Sequence, residues 1–239
     1  IDPSAVRVHG VSQDDHGGWT YQTVLASAAA PLAVAAVSEE TSEVAWVPVT
    51  EVDQLELHPG FASQWPSLQS ALAPLTVVVD AANVMGSRPD GWWRDRAAAA
   101  SRLCDEIAGL ALDGVTSLPE SVPGAVIERW YPRFVIVLEG AAAAGVARDG
   151  GSGARAEAAN SADAADSADA EGTSSRAAQD ATVRLVRATG SGDEEIVRQA
   201  ALAVGAGSTV VVTADRELRA RCEACGASVT GPRWLLGLL

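Results

Sequence analysis

The chain has 239 residues, 31 of them acidic and 17 basic, for a formal net charge of -14. That length fits one or two domains, and 48% hydrophobic against 20% charged residues allows a core and excludes wholesale disorder. The charge argues against a generally basic, sequence-blind nucleic-acid binder. Every basic residue is Arg, so mechanisms that need a lysine, a P-loop or a Schiff base among them, are also excluded.

Residues 1–73 alternate apolar and polar positions between Pro and Gly breaks. Val6–Val11 and Trp19–Ala26 read as strands joined by the turn Asp14-Asp15-His16-Gly17-Gly18. Glu43–Val49 reads as a further strand, Val52-Asp53 as an acidic turn or short helix, and Pro59 to Leu72 as mainly helical. Two or three strands and one helix do not easily complete a domain. His9, His16 and His58 are too scattered for a metal site and read as structural or surface residues.

At Leu75 the pattern changes. Leu75-Thr-Val-Val-Val-Asp80 is the β-branched run of a strand buried on both faces of a parallel sheet. A long helix is expected from Trp92 to Leu112, a buried strand at Phe134–Leu138, and another at Val183–Arg187. A helix at Asp193–Val204, a strand at Ser208–Thr213, a helix from Asp215 to about Cys225 and a short strand at Ala227–Val229 follow. Strands alternating with helices imply a parallel α/β sheet with right-handed crossovers. Between about 141 and 181 the composition falls to Ala, Gly, Ser and Asp, with a near-repeat in 160–171. Such a stretch cannot offset its ordering entropy, and we expect a disordered insertion within the second domain.

Three cysteines make no disulfide framework. Cys222-x-x-Cys225 has redox or zinc spacing but lies at a helix end with no second pair, which favours a structural role. No window has the length of a membrane span and no signal peptide is visible, so a cytoplasmic protein with no membrane partner is expected. The chain starts at Ile1 rather than Met, so an upstream portion is expected.

In an open parallel sheet, sites form at the carboxyl ends of strands. Asp80 and Glu139 end two strands, Asp193-Glu194-Glu195 follow a third after Gly190-Ser-Gly192, and Asp215 follows a fourth. Gathered carboxylates repel unless a cation neutralises them, and hard oxygen ligands suit Mg²⁺ or Mn²⁺. The constellation points to metal-dependent phosphodiester hydrolysis. Asp193 and Asp215 also stand where helix caps belong, whereas Asp80 is not needed as a cap for a helix that starts near Trp92. Arg88, Trp92, Trp93, Arg94 and Arg96 lie between the first strand and the long helix, suited to holding phosphate and stacking a base. Alternatively the tryptophans anchor the core, while Asp90 and Asp95 cap and pair with the arginines. Arg216, Arg219 and Arg221 could extend a basic edge.

The ordered motifs Val-Val-Val-Asp80-Ala-Ala-Asn83, Gly192-Asp193-Glu194-Glu195 and Val-Val-Thr-Ala-Asp215-Arg216 resemble those of NYN/PIN-like ribonucleases over roughly 75–239. The resemblance implies a parallel-sheet α/β sandwich that cleaves RNA. It implies Asp80, Asp193, Glu194 and Asp215 as ligands for Mg²⁺ or Mn²⁺, with Asp80, Asp193, Asp215 and Asn83 catalytic. Arg88, Trp92, Arg94 and Arg216 are then the expected RNA contacts. The second acid of the pair is Glu rather than Asp, and the middle acid has no clear match; Glu139 is nearest. Asp14-Asp-His-Gly-Gly-Trp-Thr-Tyr21, Glu43-Val-Ala-Trp-Val-Pro48 and Leu57-His-Pro-Gly-Phe61 resemble the carboxyl-terminal half of a Nudix hydrolase, a partial α+β unit over about 1–70. The Nudix box that would hold Mg²⁺ is absent from this chain and would precede Ile1.

The expected organisation is thus a partial Nudix-like domain at 1–73 and a nuclease domain at 74–239. The expected function is a metal-dependent endoribonuclease acting on RNA. The alternatives are a Nudix-type nucleotide pyrophosphohydrolase whose catalytic half lies upstream and a non-catalytic RNA-binding module; a homodimer stays open. The charge now divides. Residues 1–74 hold nine acids and one arginine, 148–180 seven acids and three arginines, and the remainder fifteen acids and thirteen arginines. The nuclease-like part is close to neutral, so the overall charge does not exclude a nucleic-acid substrate.

Overall fold

The structure is a computed structural model that describes residues 5–15, 17–28, 30, 32–35, 39–120, 122, 127–145 and 182–239. Its larger sheet has five strands, all parallel, in the order β6-β5-β3-β7-β8: β3 Leu75–Asp80, β5 Arg133–Leu138, β6 Val183–Arg187, β7 Ser208–Val212 and β8 Ser228–Thr230. The α/β parallel class expected from the valine runs is the class observed. All six residues of β3 are buried. They can be, because helices cover both faces of the sheet.

One face carries Val77, Val79, Phe134, Ile136, Leu138, Val210 and Val212. It packs on α1 (Pro59–Ala71), α2 (Ala81–Gly86), α3 (Arg96–Asp113) and α7 (Pro232–Leu236) through Leu68, Val84, Leu103, Ile107 and Leu235. The other carries Val78, Val135, Val137, Val211 and Val229. It packs on α5 (Gly192–Val204) and α6 (Arg216–Ala224) through Ile196, Ala200, Leu218 and Cys222. The chain leaves β3 towards β5 and β6, then returns to lay β7 on the opposite side of β3. The carboxyl ends of β3 and β7 therefore flank the point where the winding reverses, the place where doubly wound sheets open a crevice.

The N-terminal hairpin joins β1 (Val6–Asp15) to β2 (Thr20–Ala28), longer than the expected strands by a few residues. Beta1 also pairs with β4 (Arg129–Trp130), a short strand the sequence does not announce, so the backbone ladder crosses the expected boundary at 73/74. Tyr131 N–H donates to His9 O (2.8 Å) and Glu128 N–H to Val11 O (3.0 Å) across the same seam. Gly114 ends α3 at φ 80°, and a Cβ there would meet Arg129 Cγ at 2.8 Å, so the turn that feeds this seam needs glycine.

Several expectations are corrected. Residues 43–48 form no strand: Val44 and Trp46 are exposed, and the Trp46 indole donates to Leu32 O (3.2 Å) instead of packing on a sheet. Alternation makes a strand only where a neighbour supplies the ladder. The 3₁₀ turn Val49–Gln54 matches the acidic turn expected there. The helix expected from Trp92 is a 3₁₀ turn at Trp92–Arg94 followed by α3, because Asp95 Oδ1 accepts from Ala98 N–H (2.9 Å) and sets the start. The stretch read as an insertion from 141 begins inside the helix α4, Gly140–Gly145; the rest of it lies outside the described residues. Its flanks β5 and β6 pair in one sheet. His16 also lies outside the described residues.

Candidate functional site

Beta3 delivers Asp80 to the crevice, where it is buried. Its two carboxylate oxygens are held by different parts of the chain. Oδ1 accepts from Asn83 N–H (3.0 Å), and Oδ2 accepts from the fully buried Thr213 hydroxyl (2.9 Å). Asp80 thus caps α2, a short helix that follows β3 without a loop and is missing from the sequence reading; as expected, it is no cap for the helix after Trp92, which Asp95 caps. The second contact is not a cap. It spans the reversal point and fixes the carboxylate against the end of β7.

Asn83 reinforces the same junction, its side-chain oxygen accepting from Ala214 N–H (2.9 Å). Thr213 in turn accepts from Asp215 N–H (3.2 Å), and Asp215 Oδ1 accepts from Leu218 N–H (2.8 Å), capping α6. Asp80, Asn83, Thr213 and Asp215 therefore form one hydrogen-bonded unit across the ends of β3 and β7. Thr213 is the member sequence reasoning passed over. Its signal is a hydroxyl residue between a buried valine run and the strand-end acid.

The other acids arrive from the neighbouring strands. Glu139, just past β5, accepts from Gly192 N–H (3.2 Å) at the start of α5. A Cβ at 192 would lie 3.1 Å from the Glu139 carboxyl carbon, so glycine there admits the carboxylate to the helix N-terminus. Asp193 stands exposed in the first turn of α5; Ser191, not Asp193, is the N-cap residue, and its side chain makes no cap bond. Glu194 is exposed beside it. Glu195 turns away to Arg198 (2.6 and 3.0 Å) and Gln199 (2.6 Å).

Burial raises the Asp80 pKa above its ordinary value. The hydrogen bonds from Asn83 and Thr213 oppose this, while the charges of Asp193 and Glu139 push it further up. Three carboxylates thus feel one another. Their hard oxygens suit Mg²⁺ or Mn²⁺ in chemistry. Among the described residues, no group of three His, Cys, Asp or Glu side chains is gathered closely enough to hold an ion as the side chains stand.

Of the expected RNA contacts, Arg88 pairs with Glu106 on α3 (2.5 Å). Trp92 is half-buried against the core with Arg96 over its ring at 5.3 Å, and it meets Trp93 edge-on. Asp90 accepts from Trp92 N–H (3.1 Å) and lies 3.9 Å from Arg102. Pairing, capping and anchoring, the alternative reading of this segment, account for these contacts. Arg94 and Arg216 are exposed, as is Trp93. His58 Nδ1 accepts from Gly60 N–H (3.2 Å), capping α1, and His9 is buried against Ser27 (2.7 Å). Cys222 is buried and Cys225 half-buried at the end of α6, both free thiols. No helix among the described residues is long and apolar enough to cross a membrane.

No family model matches the chain. Its N-terminal part is 44% identical over 63 residues to the putative 8-oxo-dGTP diphosphatase 3 of Mycobacterium tuberculosis, 26% of this chain and 28% of that one. It is 32% identical over 77 residues to a nucleoside triphosphate pyrophosphatase/Nudix hydrolase fusion protein of Bifidobacterium longum, 31% of this chain and 16% of that one. The chain therefore matches less than a third of the length of these curated relatives. A crystal structure of a Rae1 point mutant from Bacillus subtilis superposes over 68% of this chain and 72% of that one, with a TM-score of 0.40 and 16% identity.

Proposed function

We propose that the chain is a hydrolase whose five-stranded region cleaves RNA phosphodiester bonds with the help of Mg²⁺ or Mn²⁺, in the cytoplasm. The observation that carries this reading is the unit of Asp80, Asn83, Thr213 and Asp215 at the reversal point, with Asp193 and Glu139 near enough to raise the Asp80 pKa. Asp80, Asp193, Glu194 and Asp215 would hold the ion, which supplies charge neutralisation at the phosphate and a more acidic water. The chain's own residues preset the receiving charge. The hydroxyl of Thr213 and the amide of Asn83 fix the Asp80 carboxylate before any ligand arrives, so little reorganisation is needed. Exposed Arg216, next to Asp215, offers a cation to the phosphate chain, and Arg94 a second. The test is Mn²⁺-dependent cleavage of a structured RNA by the wild type, Asp80→Asn and Asp215→Asn. Loss in both variants with the fold retained supports the reading; cleavage at wild-type rate in both overturns it.

A second reading is supported by the N-terminal similarity: hydrolysis of a nucleoside triphosphate by a Nudix unit to which residues 1–70 contribute the carboxyl-terminal half. Release of pyrophosphate from 8-oxo-dGTP by the chain joined to a Nudix-box sequence tests it. A rate unaffected by that sequence would remove this reading.

A further inference from the structure

A second cavity lies at the other end of the large sheet, about 13 Å from Asp80 along β3. Its volume is about 280 Å³, and it opens between the first residues of β3, β5 and β6 and the last turns of α5. Thr76, Arg133, Thr182, Arg184 and Gln199 supply its polar lining, and Leu202 with Ala203 and Ala206 an apolar wall. The register explains the convergence. Thr76 pairs with Arg133, and Val135 pairs with Arg184, so the two arginines are diagonal neighbours on the face that α5 covers.

Among the described residues, no carboxylate lines this cavity. Arg184 donates to the side-chain oxygen of Gln199, which is almost fully buried and which donates in turn to Glu195 (2.6 Å). The charge of Glu195 is taken by Arg198 on the outer side of α5 (2.6 Å). Arg184 is thus aimed by a neutral amide, with the charge of Glu195 also acting on it. The charge of Arg133 acts on the hairpin as well. It helps to lower the pKa of buried His9, and that of Arg7 to about 10, burial being the larger cause in both. In a chain of net charge -14, two arginines facing one hollow, with no acid among its described lining residues, form a local exception.

We propose that this cavity binds the phosphoryl group of a nucleotide-sized ligand. Arg133 and Arg184 would grip the phosphoryl oxygens from two sides, and Thr76 lines the same hollow. The wall from Leu202 to Ala206 would cover the apolar side of the attached nucleoside, and the volume matches one nucleotide rather than a duplex. The competing account is that both arginines merely complement the negative end of the α5 dipole, in which case no ligand is needed.

The experiment is thermal denaturation and titration calorimetry of the full chain with inorganic phosphate, adenosine 5′-monophosphate and adenosine, against sodium chloride at matched ionic strength. Phosphate and the monophosphate are expected to raise Tm by several degrees at saturation, the monophosphate binding at least tenfold more tightly than phosphate. Adenosine alone is expected to have no effect. Arg133→Gln and Arg184→Gln should each weaken the monophosphate at least tenfold. Arg133 has an exposed side chain, so its variant should keep the unliganded Tm even if Arg184→Gln disturbs Gln199. Asp80→Asn should bind the monophosphate as the wild type does, which keeps this site separate from the proposed catalytic crevice. A Tm response no larger than that to chloride would overturn the proposal. So would wild-type affinity in both arginine variants, or loss of binding in Asp80→Asn.

Discussion

The hairpin Val6–Ala28 and the five-stranded sheet are both β-structure, yet they solve the burial problem differently. Strands of the large sheet bury both faces under helices, so Val77, Val78 and Val79 are each inaccessible to solvent. The hairpin buries Leu25 on one face and leaves Val8, Val24, Trp19 and Tyr21 exposed. Its attachment is a backbone ladder to β4 at Gly10–Trp130 and Val11–Arg129 rather than a core of its own. A sheet packed on both sides can hold a buried charge such as Asp80 at its edge, because the surrounding packing over-determines its position. The hairpin is held by one edge, yet it too buries polar groups: burial lowers the pKa values of half-buried Arg7 and buried His9. The hydrogen-bonded unit of Asp80, Asn83, Thr213 and Asp215 lies on the large sheet.

The sharpest way to break that contrast is Asp80→Asn. RNA cleavage should fall by about 10²–10³-fold or more, as when a preorganised charge is lost. Stability should move the opposite way. Burial holds the Asp80 pKa above the ordinary 3.8, so the folded state binds this proton more tightly than the unfolded chain. The ionised carboxylate costs stability above the folded-state pKa, and the cost disappears as pH falls through that value towards 3.8. At neutral pH the variant should therefore have a Tm no lower than that of the wild type. A variant that is both active and less stable would mean that Asp80 is structural.

Core deletions sharpen the comparison next. Phe134→Ala, under the large sheet, should cost about 3–5 kcal/mol. Val24→Ser, on the exposed hairpin face, should stay within about 0.5 kcal/mol. Equal losses in chemical denaturation would show that the hairpin face is covered in solution. Thr213→Val removes a buried hydroxyl that serves Asp80 and Asp215 together, so about 1–3 kcal/mol should be lost, along with most cleavage.

The large sheet was legible because fully buried parallel strands are written as β-branched runs. Leu75–Asp80 and Val183–Arg187 were read residue for residue. The site was legible at its acids and not at their connections. Alpha2 is six residues long, too short to show helical periodicity, so the cap that Asp80 makes is not legible in the sequence. Thr213 was missed because its partner lies 133 residues away in sequence, and no local pattern encodes such a contact. The false strand at Glu43–Val49 is the reverse case, a correct alternation with no ladder beside it among the described residues.

The smallest effect tests the seam itself. His9 lies where the hairpin meets β4: its backbone oxygen accepts from Tyr131, and its ring contacts Ser27. Burial lowers its pKa below 6.5, and the charges of Arg7 and Arg133 lower it further. The unfolded chain then takes up a proton at higher pH than the folded one, so the neutral ring's contribution is complete above 6.5 and is lost as pH falls from there to the folded-state pKa. Between about pH 7.5 and 5.5, Tm should fall by roughly 1–3 °C from this group. His9→Gln, which keeps a polar partner for Ser27, should flatten that limb, and the Asp80 contribution should remain in both proteins because it runs the other way. If the limb survives the substitution, the acid sensitivity of the seam comes from another group, and the hairpin is anchored by something other than the His9 strand.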